Sequence, residues 1–178
     1  MYESVLNFWF NEIAPAQRWK VDPGFDQLMR ERFGDLHRRA TQAELFEWRR
    51  DPKGRLAEIV VLDQFSRNMY RGDPRAFDND ALALALAQEA VAAKADVSLS
   101  LDERAFLYMP YMHSESASIH AVALALFRDH APQGTYDFEL RHKAIIDRFG
   151  RYPHRNAILG RASTPEELAF LMEPGSSF

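Results

Sequence analysis

A chain of 178 residues with 47% hydrophobic and 27% charged residues and a net charge of -4 has the composition of one folded domain spanning 1–178, not of a disordered or fibrous protein. It contains no cysteine, which excludes disulfides, thiolate nucleophiles and thiolate-bound zinc or iron–sulfur centres. No stretch approaches an apolar run of about eighteen residues, Met1–Glu12 lacks the basic start of a signal peptide, and the expected location is the cytoplasm.

Helical signals run the length of the chain. The amphipathic opening predicts a helix over 2–11. Asp22-Pro23 pairs an N-cap with a proline at the first helical position and starts a helix over 24–48, with a weak point near Gly34. Inside it, Thr41-x-x-Glu44 has the spacing of a capping box. Asp51-Pro52 opens a helix over 52–67, where Leu56, Ile59, Val60, Asp63 and Arg67 follow three- and four-residue steps. The run Ala81–Ala87 alternates large and small as a strand would. Alanine is the best helix former and is depleted in strands, so 77–95 reads as a helix that lets its neighbours approach closely and lies centrally.

Ser100-x-x-Glu103 opens a helix over 101–109, which Pro110 should end or kink, and Ser114 then caps a helix over 115–130. Leu140, Ala144, Ile145 and Phe149 mark 135–149, with Gly150 as its stop. Pro153 can start a short helix at 154–159, and Thr164-x-x-Glu167 with Pro165 opens 165–171. No Asn-Gly or Asp-Gly hairpin signal joins β-branched runs. The expectation is all-α: eight or nine short helices in a right-handed stack or irregular bundle, without a sequence repeat of fixed period.

Three polar clusters interrupt these helices. In the first, Asp63 and Arg67 are four residues apart and share a helix face, either as an ion pair tying helix to helix or as a ligand-lining pair. The second, Tyr108–Glu115, puts His113 at a helix junction. Glu115 there either stabilises a helix start or works with His113 on a proton or a metal ion. His120, seven residues further on, is too far along a helix to share an ion with His113. The third runs from Arg141 to Asn156, where two helix ends meet among arginines. Arg151, His154, Arg155 and Asn156 there suit a carboxylate or phosphate, or else Arg148 and Arg155 pair with internal acids such as Asp63 or Glu115.

Charge is unevenly spread. Residues 141–161 hold six Arg or Lys against the single acid Asp147, a local +5 that leaves -9 for the remainder, with 16 basic and 25 acidic residues. Such a stretch serves a small anion, docks the chain's own acidic segments or forms a solvated helix face. It lacks a recognition helix or a run of stacking aromatics, so no nucleic-acid partner is expected. There is no H-E-x-x-H helix, no Walker A loop and no G-x-S-x-G elbow, and neither a cofactor nor a resident metal is expected.

Several long blocks carry a family resemblance. Val5-Leu6-Asn7-Phe8-Trp9-Phe10, Val61-Leu62-Asp63-Gln64-Phe65-Ser66-Arg67-Asn68, Pro110-Tyr111-Met112-His113-Ser114-Glu115 and Arg148-Phe149-Gly150-Arg151-Tyr152-Pro153-His154-Arg155-Asn156 stand together with Leu159-Gly160-Arg161 and Thr164-Pro165-Glu166-Glu167. In these the chain resembles the bacterial and fungal family known as domain of unknown function 924 (DUF924). The resemblance covers nearly the whole chain. It implies a tetratricopeptide-like stack of antiparallel helices, an α/α superhelix, and it brings no catalytic mechanism.

Three functional readings follow. In the first, a helical binding protein gathers Asp63, Arg67, Tyr111, His113 and Glu115 with His142, Arg148, His154, Arg155 and Asn156. Arginines would orient a small anionic metabolite or peptide carboxylate, and Tyr111 and Phe65 would form apolar walls. In the second, a hydrolase acts on a small phosphorylated or carboxylated substrate. His113 or His154 moves the proton, Glu115 or Asp63 orients it, and Arg151 or Arg155 clamps developing charge. A metal-assisted version would use His113, Glu115 and a third ligand. In the third, Phe8, Trp9, Phe10 and Trp19 form an exposed patch for association, or simply pack an N-terminal helix. A homo-oligomer is open but not indicated.

Overall fold

The computed structural model describes residues 1–177, and among them every regular element is helical. The helices are α1 (Tyr2–Asn7), α2 (Pro23–Thr41), α3 (Pro52–Val60), α4 (Ser66–Met69), α5 (Asp80–Ala92), α6 (Leu101–Met112), α7 (Ala117–His130), α8 (Gln133–Phe149) and α9 (Pro165–Phe170). π-helical turns extend α1 over Phe8–Glu12 and join α3 to α4 over Val61–Phe65. α7 packs between α6 and α8, while α3 contacts α1, α5 and α6.

Local chemistry explains the starts. The Asp22 carboxylate accepts from the Gly24 and Phe25 amides, and Asp51 accepts from Lys53. Ser100 and Thr164 form complete capping boxes with Glu103 and Glu167. The alanine-rich α5 buries Ala83, Ala87 and Ala90 completely, and it packs against α3 and α6. Phe8, Trp9, Phe33, Phe65 and Phe106 form the aromatic heart of one large core. Phe8 and Trp9 are therefore packing residues, not an exposed patch. Trp19, although 61% exposed, stacks on Phe106.

Five local expectations need correction. α2 passes through Gly34 without a break and ends at Thr41, followed by Ala43 at φ 57°. Thr41 thus sits at a C-terminus, where its hydroxyl donates back to the Arg38 carbonyl and Glu44 pairs with Arg39, so no capping box forms. α6 continues through Pro110 to Met112. A proline so near the end forfeits only one internal bond, and burial of Tyr111 and Met112 holds the last turn. α7 starts at Ala117, not at Glu115, because Ser116 occupies the N-cap position and Ser114 lies in the connection. The proline start at Pro153 yields only a 3-10 turn over Pro153–Arg155. Gly150 does end α8, in the left-handed region at φ 67°.

These boundaries position the polar clusters. Asp63 falls in the π turn, Asp80 opens α5, His113 closes α6, and Tyr152–Asn156 follow α8.

Candidate functional site

The π turn accommodates one residue more per hydrogen-bonded ring than an α-helix, which alters the direction of its side chains. Asp63 there is 1% exposed, and its Oδ1 lies 2.6 Å from Nδ1 of His113 and 3.0 Å from Nη1 of Arg67. Gln64 Nε2 donates to its other oxygen at 2.6 Å. Burial opposes ionisation of Asp63, but Arg67 and His113 outweigh it and hold the carboxyl well below the usual carboxylate range. An ionised carboxylate only accepts, so Nδ1 of His113 carries the proton and Nε2 keeps its lone pair. Burial and the Arg67 charge lower the His113 pKa, with Asp63 opposing them only in part, so the ring is neutral at neutral pH. The His113 side chain is 14% exposed.

Arg67 also grips Asp80 through both terminal nitrogens, at 2.9 and 3.1 Å. Arg155 reaches the same carboxylate at 3.2 Å and donates to the His113 carbonyl at 3.0 Å. Its guanidinium lies 4.7 Å from the ring centre of Phe77 and 4.6 Å from that of Tyr152. Arg155 is buried, and its Nε has no acceptor among the described residues. Two carboxylates and two guanidinium groups therefore balance one another beside a neutral imidazole.

Tyr152 is fully buried and joins this network to the remaining histidines. Its hydroxyl donates to the Met112 carbonyl and lies 3.2 Å from His120 Nε2. His120 Nε2 donates to the Ser114 carbonyl, and its Nδ1 faces Glu139 at 2.7 Å, both side chains being wholly buried. His142 donates from Nδ1 to the Phe138 carbonyl, and its ring lies 5.7 Å from Tyr152 and 6.5 Å from His113. The His154 ring is 5.5 Å from Tyr152. Burial pushes His142 down to about 3, and burial with Arg155 takes His154 to about 4.

The structure thus brings Asp63, Arg67, His113, His142, His154 and Arg155 together from three distant stretches of chain. Glu115 borders them: it accepts the Tyr152 amide at 2.7 Å and a two-pronged bridge from Arg161 at 2.6 and 2.8 Å. Asn156 is held by Ser163, Glu167 and Arg161. Arg151 is engaged with Glu167, and Arg148 with Glu166. Tyr111 is a core residue whose hydroxyl, under burial and the field of Asp96, is pushed up to about 12. Much of the basic stretch is therefore spent on the chain's own acids, Lys143 on Asp147 included. Two surface depressions, one beside Ser4, Arg32 and Arg39 and one beside Tyr2, Asn7 and Lys53, are lined by none of these residues. Among the described residues, no group of three His, Asp or Glu is arranged to hold a metal ion.

Asp80 is the central residue that sequence reasoning did not single out. An acid in the first turn of a helix has an ordinary explanation in the helix dipole, and nothing in its spacing points to two arginines from elsewhere. Arg161 had a signal, its place in the basic stretch, but its partner Glu115 is 46 residues away.

Residues 5–175 match the family model described as "Bacterial protein of unknown function (DUF924)". A solved structure of a protein of unknown function from Agrobacterium tumefaciens is 34% identical, covers 96% of both chains and superposes with a TM-score of 0.91. No curated protein matches. No helix among the described residues is long and apolar enough to cross a membrane.

Proposed function

We propose that this chain, which belongs to the DUF924 family of bacterial proteins, uses His113 to transfer a proton during hydrolysis of a small carboxylated or phosphorylated substrate. One observation carries the reading: a buried carboxylate, Asp63, stands 2.6 Å behind Nδ1 of a histidine whose side chain still reaches solvent. That arrangement fixes the tautomer, aims Nε2 away from Asp63 and stabilises the imidazolium formed when a proton is accepted. Nε2 takes a proton from water as its oxygen bonds to the substrate carbon or phosphorus. The same proton then passes to the leaving oxygen as the old bond breaks.

A plain arginine clamp for an anion is the weaker reading. Arg67, Arg148, Arg151 and Arg161 each face an internal carboxylate, so their charge is already answered. Arg155 differs, because its unspent Nε–H supports a role in binding one acceptor oxygen of the substrate and steadying charge there. The anion-binding reading survives in this narrower form, as recognition at Arg155 beside His113. The tetratricopeptide-like stacking belongs to the same proposal. The packing of α7 between α6 and α8 supports it, whereas the contacts of α3 with α1 and α6 resemble a closed bundle.

The test is turnover of a panel of p-nitrophenyl esters and phosphates by the wild type, His113→Gln and Asp63→Asn, with circular dichroism to confirm folding. Wild-type turnover should rise with pH as His113 loses its proton and be level by neutral pH, because burial and Arg67 move that loss below the ordinary histidine value. His113→Gln should lower it by about 100-fold or more. A wild type inert to the whole panel, or His113→Gln turning over at the wild-type rate, rejects the reading.

A further inference from the structure

The chain beyond Asn156 is held differently from the rest of the molecule. α9 buries only Glu167, while Leu168 is 56% and Met172 87% exposed. Its apolar anchor is Phe170, packed against Phe149 with ring centres 5.0 Å apart. Ile158, Leu159 and Leu171 are half-buried, and the attachments that reach the site are polar. Arg161 bridges to Glu115 and also donates to the Tyr152 carbonyl at 3.2 Å. Arg151 bridges to Glu167 and donates to the Ala162 carbonyl, and Arg148 meets Glu166 at the surface. Arg161 and Glu115 are each 25% exposed, so water and salt reach the bridge.

The geometry points to a strap: residues 157–177 open as a unit, latched by Arg161–Glu115 and Arg151–Glu167, and opening frees the Glu115 carboxylate and the Asn156 amide at the edge of the site. Asn156 is completely buried, and all three of its side-chain partners, Ser163, Glu167 and Arg161, belong to this segment. Glu115 would keep only the Tyr152 amide. Segments tied by few apolar contacts and by solvent-reached ion pairs open at lower free energy than the core, and added salt weakens their ties selectively. α6, α3 and α1 are joined chiefly through the aromatic core, with the partly exposed Lys53–Glu103 pair a minor tie between α3 and α6.

As regulation of the site the strap rests on the proposed function, but as a motion it does not. Hydrogen exchange followed by mass spectrometry on the full chain measures the motion without a substrate. Peptides covering 157–177 should exchange about five- to tenfold faster in Arg161→Gln, and faster in wild type at 500 mM than at 50 mM sodium chloride, while α6 and α7 stay unchanged. Unchanged exchange over 157–177 in the wild-type salt comparison overturns the strap. So does acceleration shared equally by α6 and α7. Loss of turnover in His113→Gln with no strap motion would uphold the chemistry and reject the latch, and the converse result would do the opposite.

Discussion

Asp80 shows how much one side chain can decide in a buried network. It accepts from Arg67 at 2.9 and 3.1 Å and from Arg155 at 3.2 Å, separating two cations that otherwise lower each other's hold on a proton. Removing it leaves two guanidinium groups largely out of water with one local carboxylate between them, which is costlier than losing a surface bridge. Asp80→Ala should therefore destabilise the protein by about 3 kcal/mol in urea unfolding. Arg148→Ala, which breaks the exposed pair with Glu166 and the guanidinium's contacts with the Phe149 and Phe170 rings, should cost about 1 kcal/mol. Equal losses in the two variants would show that the Asp80 network contributes no more than a solvated ion pair.

At the scale of elements, the turn Phe46–Arg50 packs at a junction with α3, the helix that runs on into the Asp63 turn. Gly54 lies against this junction, and a Cβ built there would fall 2.1 Å from the Trp48 carbonyl oxygen. The obstacle is backbone, so a side chain cannot rotate away to relieve it. Gly54→Ala should cost about 2–3 kcal/mol by chemical denaturation, with α3 displaced. Gly34→Ala, with nothing within 4 Å, should instead be neutral or slightly stabilising. The two glycines look alike in sequence, each inside a predicted helix. What separates them is the neighbouring turn. Pro110 gives a similar lesson in reverse: its local rule favours an end to α6, but two buried residues after it outweigh one missing hydrogen bond.

For the whole molecule, the neutral histidines tie stability to pH. His142 and His154 titrate at about 3 and about 4 when folded, well below the ordinary histidine value that the unfolded chain recovers. As pH falls through that ordinary value the unfolded state takes up protons that the folded state refuses. Stability is then lost from about pH 6.5 down to the folded values. Each histidine contributes a slope of about 1.4 kcal/mol per pH unit where its unfolded form is charged and its folded form is not. His37 and His113 are lowered too, the first by burial and the second by burial and Arg67, and they act with the same sign. Unfolding free energies at pH 7, 6 and 5 should fall steeply, and His142→Gln should flatten the curve by about one histidine's share. An unaltered slope in that variant would mean that His142 is protonated in the folded protein.

Amino-acid order alone determined that this is an all-helical chain. Periodicity, the Asp22, Asp51, Ser100 and Thr164 caps, and the Gly150 stop act over four or five residues, and no distant partner is needed to read them. The same local signals marked Asp63, Arg67, His113 and Arg155 as polar residues in unusual places. Only the tertiary structure decided what each does, because a guanidinium looks the same whether it waits for a ligand or already holds a carboxylate. The 75 residues between Asp80 and Arg155 and the 50 between Asp63 and His113 close only when the helices pack. The π turn that carries Asp63 has no residue signature of its own, so local sequence signals could not mark it.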